Sequence, residues 1–352
     1  MEFSEASYWL ACLAAPELKR TAAKLLLWRR CVQGARSAAG LYTAEVQDIT
    51  ECDLDDLQLS QLRASQPLVA EQAALLAQLE TEGIKLLTRA DTAYPEALVQ
   101  RLPEERLPYL LFYRGNLDLL TLPCIALTGA GQPTEAAQAF AHALIELLTQ
   151  QECAFIGGYS KGIDRLCIEA ALGIGASCIL VLPLGLRAGG KMLPGLEPYI
   201  SAGKLLVLSP YSCDTAYSEP LAIARLPVIA GLSEMLLAIE PDDAPDHWVQ
   251  ALQAPLPRLR IWVGAAAARH DLWLAQGAVI LASVEEVQQE WLRAVDGASP
   301  EPALGQSAAS APVETSIAFA DADSAIATLS QSGAVPDILA RRLRERAPEW
   351  KK

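Results

Sequence analysis

"CAFIGGYSKGIDRLCIEAALG", residues 153–173, reads as a strand, a glycine turn and a helix. "AFI" is a short apolar run of β type, and Gly157-Gly158 makes the bend. Asp164 is placed to cap the helix "RLCIEAAL", which Gly173 closes. Ser160, Lys161 and Gly162 lie in the loop between the bend and that helix. Paired glycines allow close approach to the backbone, and a helix N-terminus offers free N–H groups to an anion. Two readings of Lys161 follow: a solvated side chain, or a cation aimed at a phosphate beside the helix amides.

The same grammar occurs a little earlier, in "CIALTGAGQPTEAAQAF" (124–140). Here a strand runs into Gly129-Ala130-Gly131, and Pro133 and Thr134 open a helix. Thr134 or Gln132 can cap the exposed amides, with Glu135 in the first turn. A dinucleotide fingerprint needs GxGxxG, and its sixth position here is Thr134. A plain tight turn therefore competes with a cofactor turn.

Working outward, short β-type runs recur from residue 84: "IKLLT", "YLLFYRG", "CIALTGAG", "CAFIGG", "SCILVLPLG", "KLLVLSPY", "MLLAIEP", "LRIWVG" and "AVILAS". Continuous apolar runs of this length suit strands buried on both faces of a parallel sheet. Helical stretches alternate with them, so the expected fold is α/β, an open, doubly wound, mostly parallel sheet. Ligands of such sheets bind beyond the carboxyl ends of the strands. Residues 1–82 are rich in Ala and Leu at helical spacing and predict a helical module, with Pro16 separating two short helices and Gly83 ending the last. The sheet core is expected over 83–296. Residues 297–316, "GASPEPALGQSAASAPVETS", are a linker by composition. The tail 317–352 is expected to be helical, and its last twelve residues hold six basic side chains against two acidic ones. It reads as a solvated helix end, a helix-turn-helix remnant or a partner-docking segment.

Composition narrows the function. The 352-residue chain carries a formal net charge of −14, which argues against loose, charge-driven attraction to nucleic acid or anionic membrane. A local basic groove remains compatible with that total. The eight cysteines form no CxxC pair and several lie in apolar runs, the pattern of small buried residues in a reducing cytosol. No metal site is expected from them and the three histidines. The N-terminus lacks the features of a signal peptide, and no run is long enough to span a bilayer. A cytoplasmic protein is expected.

The two turns at this spacing resemble the DprA/Smf family of DNA-processing proteins, whose "VGSRxxT" and "SGxARGID" motifs stand where this chain has "LTGAGQPT" and "GGYSKGID". Further likenesses are "YWLACLAAPELKRTAAKLLL" to the family's sterile-alpha-motif-like helices, Tyr94-Pro95 and Arg114-Gly115-Asn116 before the sheet, "VIAGLSEMLLAIE" (228–240), and "WLAQGAVILASVEEVQQEW" (273–291). The resemblance covers about residues 5–292. It implies a Rossmann-like sheet that binds single-stranded DNA without sequence preference, dimerises, delivers a RecA-type recombinase onto the strand, and is not an enzyme. It needs no cofactor. The residues it points to are Gly129, Ala130, Gly131, Gln132, Thr134, Gly157, Gly158, Ser160, Lys161, Gly162, Asp164 and Arg225. The tail would be a degenerate winged-helix remnant.

Departures from the family pattern fall on that chemistry. Gly131 replaces the arginine of "GSR", Lys161 replaces that of "ARGID" and loses its bidentate fork, and Ile168 replaces a histidine. Of the "FPxRNR" segment, "AIARLP" (222–227) keeps only Arg225. "SPYS" (209–212) lacks the family's glutamate, and "PDDAPDHWVQALQ" (241–253) brings in three aspartates. Lys161 and Arg225 are the clear cations, with Arg187 and Lys191 as loop additions. Two alternatives stand beside a DNA-binding, recombinase-assisting protein. One is a scaffold that pairs with a paralogue or a recombination or defence partner. The other is a nucleotide sensor or hydrolase with Asp164 and Glu240 as acid and base. His142, His247 and His270 have no evident partner, and Trp248, Trp262 and Trp273 read more readily as packing than as base-stacking residues.

Overall fold

Every one of the nine apolar runs becomes a strand in the computed structural model, which describes residues 3–15, 20–43, 56–190, 195–241, 258–262, 271–275 and 277–296. The strands are β1 (Lys85–Thr88), β2 (Leu110–Gly115), β3 (Cys124–Gly129), β4 (Ala154–Gly157), β5 (Ser177–Val181), β6 (Leu205–Ser209), β7 (Met235–Ile239), β8 (Arg258–Trp262) and β9 (Val279–Ile280). They form one sheet in the order β1-β2-β6-β5-β4-β3-β7-β8-β9. Pairing is parallel from β6 across to β9, and only β1–β2 and β2–β6 are antiparallel. The chain starts the parallel part at β3, builds outward through β4, β5 and β6, and returns to add β7 on the opposite side. That reversal between β4 and β7 opens a crevice at the carboxyl end of β3.

Both faces of the sheet are covered, which is why its strands read as unbroken apolar runs rather than alternating ones. Ile125, Leu127 and Phe155 point into one core, with Phe140, Leu144 and Ile145 from a long helix, Ile168 from the next, and Trp291. Cys124, Ala126, Ala154 and Ile156 point into the other, with Leu98, Val228, Ile229 and Trp273. Each Leu or Ile wholly buried here contributes about 1.5–3 kcal/mol relative to exposure.

The helices on these faces are α6 (Glu96–Arg101), α7 (Glu135–Leu148), α8 (Ile163–Gly173), α9 (Glu197–Ser201), α10 (Glu219–Ala224), α11 (Leu226–Leu232), α12 (Asp271–Ala275) and α13 (Val284–Val295). Before the sheet come α1 (Glu5–Ala14), α2 (Arg20–Leu27), α3 (Gly40–Thr43), α4 (Asp56–Ala64) and α5 (Gln66–Thr81). Trp9, Leu26, Leu27, Leu41 and Leu62 bury together there with Tyr109 of the sheet region. Tyr109 is shared by the two parts: Trp9 stands 6.3 Å from its ring, Lys24 Nζ 5.1 Å and the Arg89 guanidinium 5.4 Å. Met1–Pro302 is one compact unit. The linker and tail of the sequence analysis lie outside the described residues.

Candidate nucleic-acid interface

The first bend leaves β3 at Gly129. The Ala130 N–H donates to the Ile239 carbonyl (3.1 Å), tying the bend to the end of β7. Thr134 caps α7 as expected, its hydroxyl oxygen accepting from the Ala137 N–H (3.2 Å). The cap is itself held by the residue that follows β7. The Glu240 carboxylate accepts from both the Thr134 N–H and the Thr134 hydroxyl, each at 2.9 Å. Glu240 has φ of +49°, an uncommon conformation for a side chain of this size. A carboxylate here complements the positive end of the helix.

The second bend is closed by Asp164. Its carboxylate accepts from the N–H groups of Gly158 (3.1 and 3.2 Å), Tyr159 (3.3 Å) and Ser160 (2.9 Å). The cap expected of Asp164 is therefore a different device. Asp164 is the second residue of α8 and folds back onto the loop that precedes the helix. Burial pushes its carboxyl above the ordinary 3.8, while Arg225 and the three amides oppose that shift.

Arg225 lies beneath the loop, not on its surface, with 3% of its area exposed. It donates through Nη1 to the Val181 carbonyl and through Nη2 to the Ser160 hydroxyl, both at 3.0 Å. Burial lowers its pKa, and Asp164 opposes this. Gly158 has to lack a side chain, because a Cβ there would fall 1.5 Å from Arg225 Nη1. Arg225 thus shapes the bend, and among the described residues the cations of this loop and helix start that reach solvent are Lys161 and Arg165. Arg165 stacks on Tyr159, 4.7 Å from the ring centre, and the Tyr159 hydroxyl donates to Glu169 (2.7 Å).

The two bends touch. The Ile163 N–H donates to the Ala130 carbonyl at 3.0 Å. Gly162 has φ of +92°, and a Cβ on it would sit 2.1 Å from that carbonyl oxygen. All twelve residues singled out in the sequence are therefore gathered at one edge. Gln132, Thr134, Ser160 and Lys161 are exposed, Gly129, Gly131 and Gly162 half-buried, and Ala130, Gly157, Gly158, Asp164 and Arg225 buried.

Other expectations fall elsewhere. Arg187 is paired with Glu82 (3.1 Å) and Asp214 (3.0 Å), and Lys191 lies outside the described residues. His142 is exposed on α7, while His247, His270 and Trp248 are outside the described residues. Trp262 stacks on Phe140 at 4.2 Å and Trp273 is buried, so both pack. Among the described residues, seven cysteines are buried free thiols. Burial pushes Cys153 up to about 11 and Cys213 to about 12, leaving both protonated at neutral pH. Among the described residues, no group of three or more His, Cys, Asp or Glu side chains could hold a metal ion. Sequence reading missed Tyr159, Arg165 and the Glu240–Thr134 contact. Arg165 follows Asp164 directly in a first helical turn, which was the available signal.

A doubly wound α/β sheet with two joined glycine bends at its crossover defines a Rossmann-like protein with a loop site at the carboxyl edge. Residues 85–247, which contain both bends and Arg225, match the family model of DNA recombination-mediator protein A. The DNA processing protein DprA of Streptococcus pneumoniae is 35% identical over 137 residues, 38% of this chain and 47% of that protein. The chain thus spans about half the length of the curated relative it matches. The X-ray structure of DprA from Streptococcus pneumoniae superposes with a TM-score of 0.59 at 22% identity, covering 82% of this chain and 99% of that one. A Helicobacter pylori DprA structure, described for its single-stranded DNA binding mode, matches at a TM-score of 0.46 and 18% identity over 60% of this chain and 96% of that one. Over residues 85–247 the chain is similar to the DprA family, and its fold is that of the DprA structure. Among the described residues, no helix is long and apolar enough to cross a membrane.

Proposed function

We propose that this protein binds single-stranded DNA without reading its sequence, along the carboxyl edge where the two bends meet, and passes the strand to a RecA-type recombinase. It acts by binding, with no catalytic residue, in the cytoplasm, as a homodimer or paired with a DprA paralogue. The observation that carries this reading is the direct contact of the bends, Ile163 N–H to Ala130 carbonyl, with Lys161 and Arg165 exposed beside it. Its relatives are named for DNA processing and recombination mediation, and the segment that matches them contains this edge.

The buried groups limit how the strand is held. Asp164 and Glu240 already accept from amides that a phosphate could have used, so phosphate contact falls to the exposed cations. Gln132, Thr134 and Ser160 add polar groups to the same edge. Two cation contacts give a salt slope of about −1.4 for a single strand, shallow for a nucleic-acid binder. Anisotropy titration with oligo-dT at two salt concentrations tests the reading. Wild type binds at low salt, and K161A/R165A binds at least about tenfold more weakly with a slope near zero. Absence of binding at low salt, in both monomer and dimer fractions, would end it.

The occupied amides favour a second reading, in which the bends are purely architectural and the protein is a scaffold for a paralogue or another recombination or defence partner. A native pull-down that returns such a partner, with no oligo-dT binding by either the chain or the complex, supports that reading instead.

A further inference from the structure

Among the described residues, Tyr217 is the one aromatic side chain in the set of large apolar groups left exposed, with 63% of its area open to solvent. It stands on the loop that leaves the carboxyl end of β6, the same edge of the sheet as the two bends. That loop is well anchored. The Gly185 N–H donates to the Thr215 carbonyl (2.8 Å), Arg187 and Ala188 both donate to the Cys213 carbonyl (3.0 Å), and the Tyr211 hydroxyl donates to the Leu221 carbonyl (2.7 Å). Ser218 then starts α10, which runs to Arg225. Arg225, at the C-terminal end of α10, bonds Ser160 on the second bend, so the helix that follows the loop is tied to that bend.

Three features of this edge fit together. Among the described residues the exposed cations of the bends are few, the N–H groups of Thr134, Gly158, Tyr159 and Ser160 are taken by carboxylates, and an exposed aromatic ring stands on an anchored loop at the same edge. A single strand offers such a ring what a duplex conceals, the flat faces of its bases. Stacking is indifferent to base identity and needs no added positive charge. A side chain with two torsions loses little entropy on contact, and its loop is already anchored.

We propose that Tyr217 is a base-stacking platform, which holds a nucleobase of the strand whose phosphate lies near Lys161 and so selects single-stranded over duplex DNA. This rests on the reading given under Proposed function. The test compares wild type, Y217A and Y217W on oligo-dT, on an abasic oligodeoxynucleotide of equal length and on duplex. Because the side chain is exposed, both variants keep the wild-type melting temperature. Y217A is expected to bind oligo-dT about ten- to a hundredfold more weakly with its salt slope unchanged, to match wild type on the abasic strand, and to lose preference over duplex. Y217W restores binding. Equal binding of oligo-dT by Y217A and wild type overturns the proposal while leaving single-strand binding intact, as does an equal loss on abasic and normal strands. No binding of oligo-dT by wild type at low salt removes both.

Discussion

Arg225 is the residue whose surroundings matter most to the site, and it works from below. Its charge is held by the Val181 carbonyl and the Ser160 hydroxyl, with Asp164 as the buried counter-charge. R225A takes away a positive charge that opposes the upward shift of the buried Asp164 carboxyl and leaves the Val181 carbonyl and Ser160 hydroxyl without their donor, each such buried loss costing about 1–3 kcal/mol. The loss depends on pH in a defined sense. Burial already holds the Asp164 carboxyl above 3.8, so the folded state binds its proton more tightly than the unfolded chain does. Its contribution to stability is complete below about 3.8 and is lost as pH rises through the raised folded value. Without Arg225 that value rises further. Urea midpoints at a series of pH values should show R225A most destabilised near neutrality, with the deficit shrinking toward pH 4 to the part due to the lost Val181 and Ser160 hydrogen bonds. A deficit constant across pH would mean that Asp164 and Arg225 are uncoupled.

At the scale of elements, the bends depend on one another through Gly162. G162A places a methyl group against the Ala130 carbonyl oxygen in a backbone conformation with φ of +92°, and the two bends then separate. A loss of at least about 3 kcal/mol in urea melts, together with loss of oligo-dT binding, is expected. Unchanged stability would mean the contact is dispensable. Much of this level was legible in the sequence. The nine strands were readable because a strand buried on both faces needs no alternation, as in "CIAL" and "SCILV", and the Thr134 cap followed from its place before an apolar helix. Residue roles inside the bends were less legible. Asp164 could serve the helix below it or the loop behind it, and only the path of the loop decides between them. Arg225 read as a surface cation, yet its neighbours Ile223 and Leu226 in "AIARLP" already suit burial. Glu240 reaches Thr134 across 106 positions, a contact that local patterns do not carry.

For the whole molecule, the net charge of −14 repels nucleic acid at long range, so association has to be local and helped little by steering. Residues 85–247, the segment similar to the DNA recombination-mediator family, span the crossover, both bends and the loop bearing Tyr217. Hydrogen exchange of the intact chain with and without saturating oligo-dT tests the central claim most directly. Slowed exchange confined to residues 129–135, 158–166 and the 210–218 loop is the predicted result. Protection centred on the helices before the sheet, or none at all under conditions where anisotropy reports binding, would contradict it.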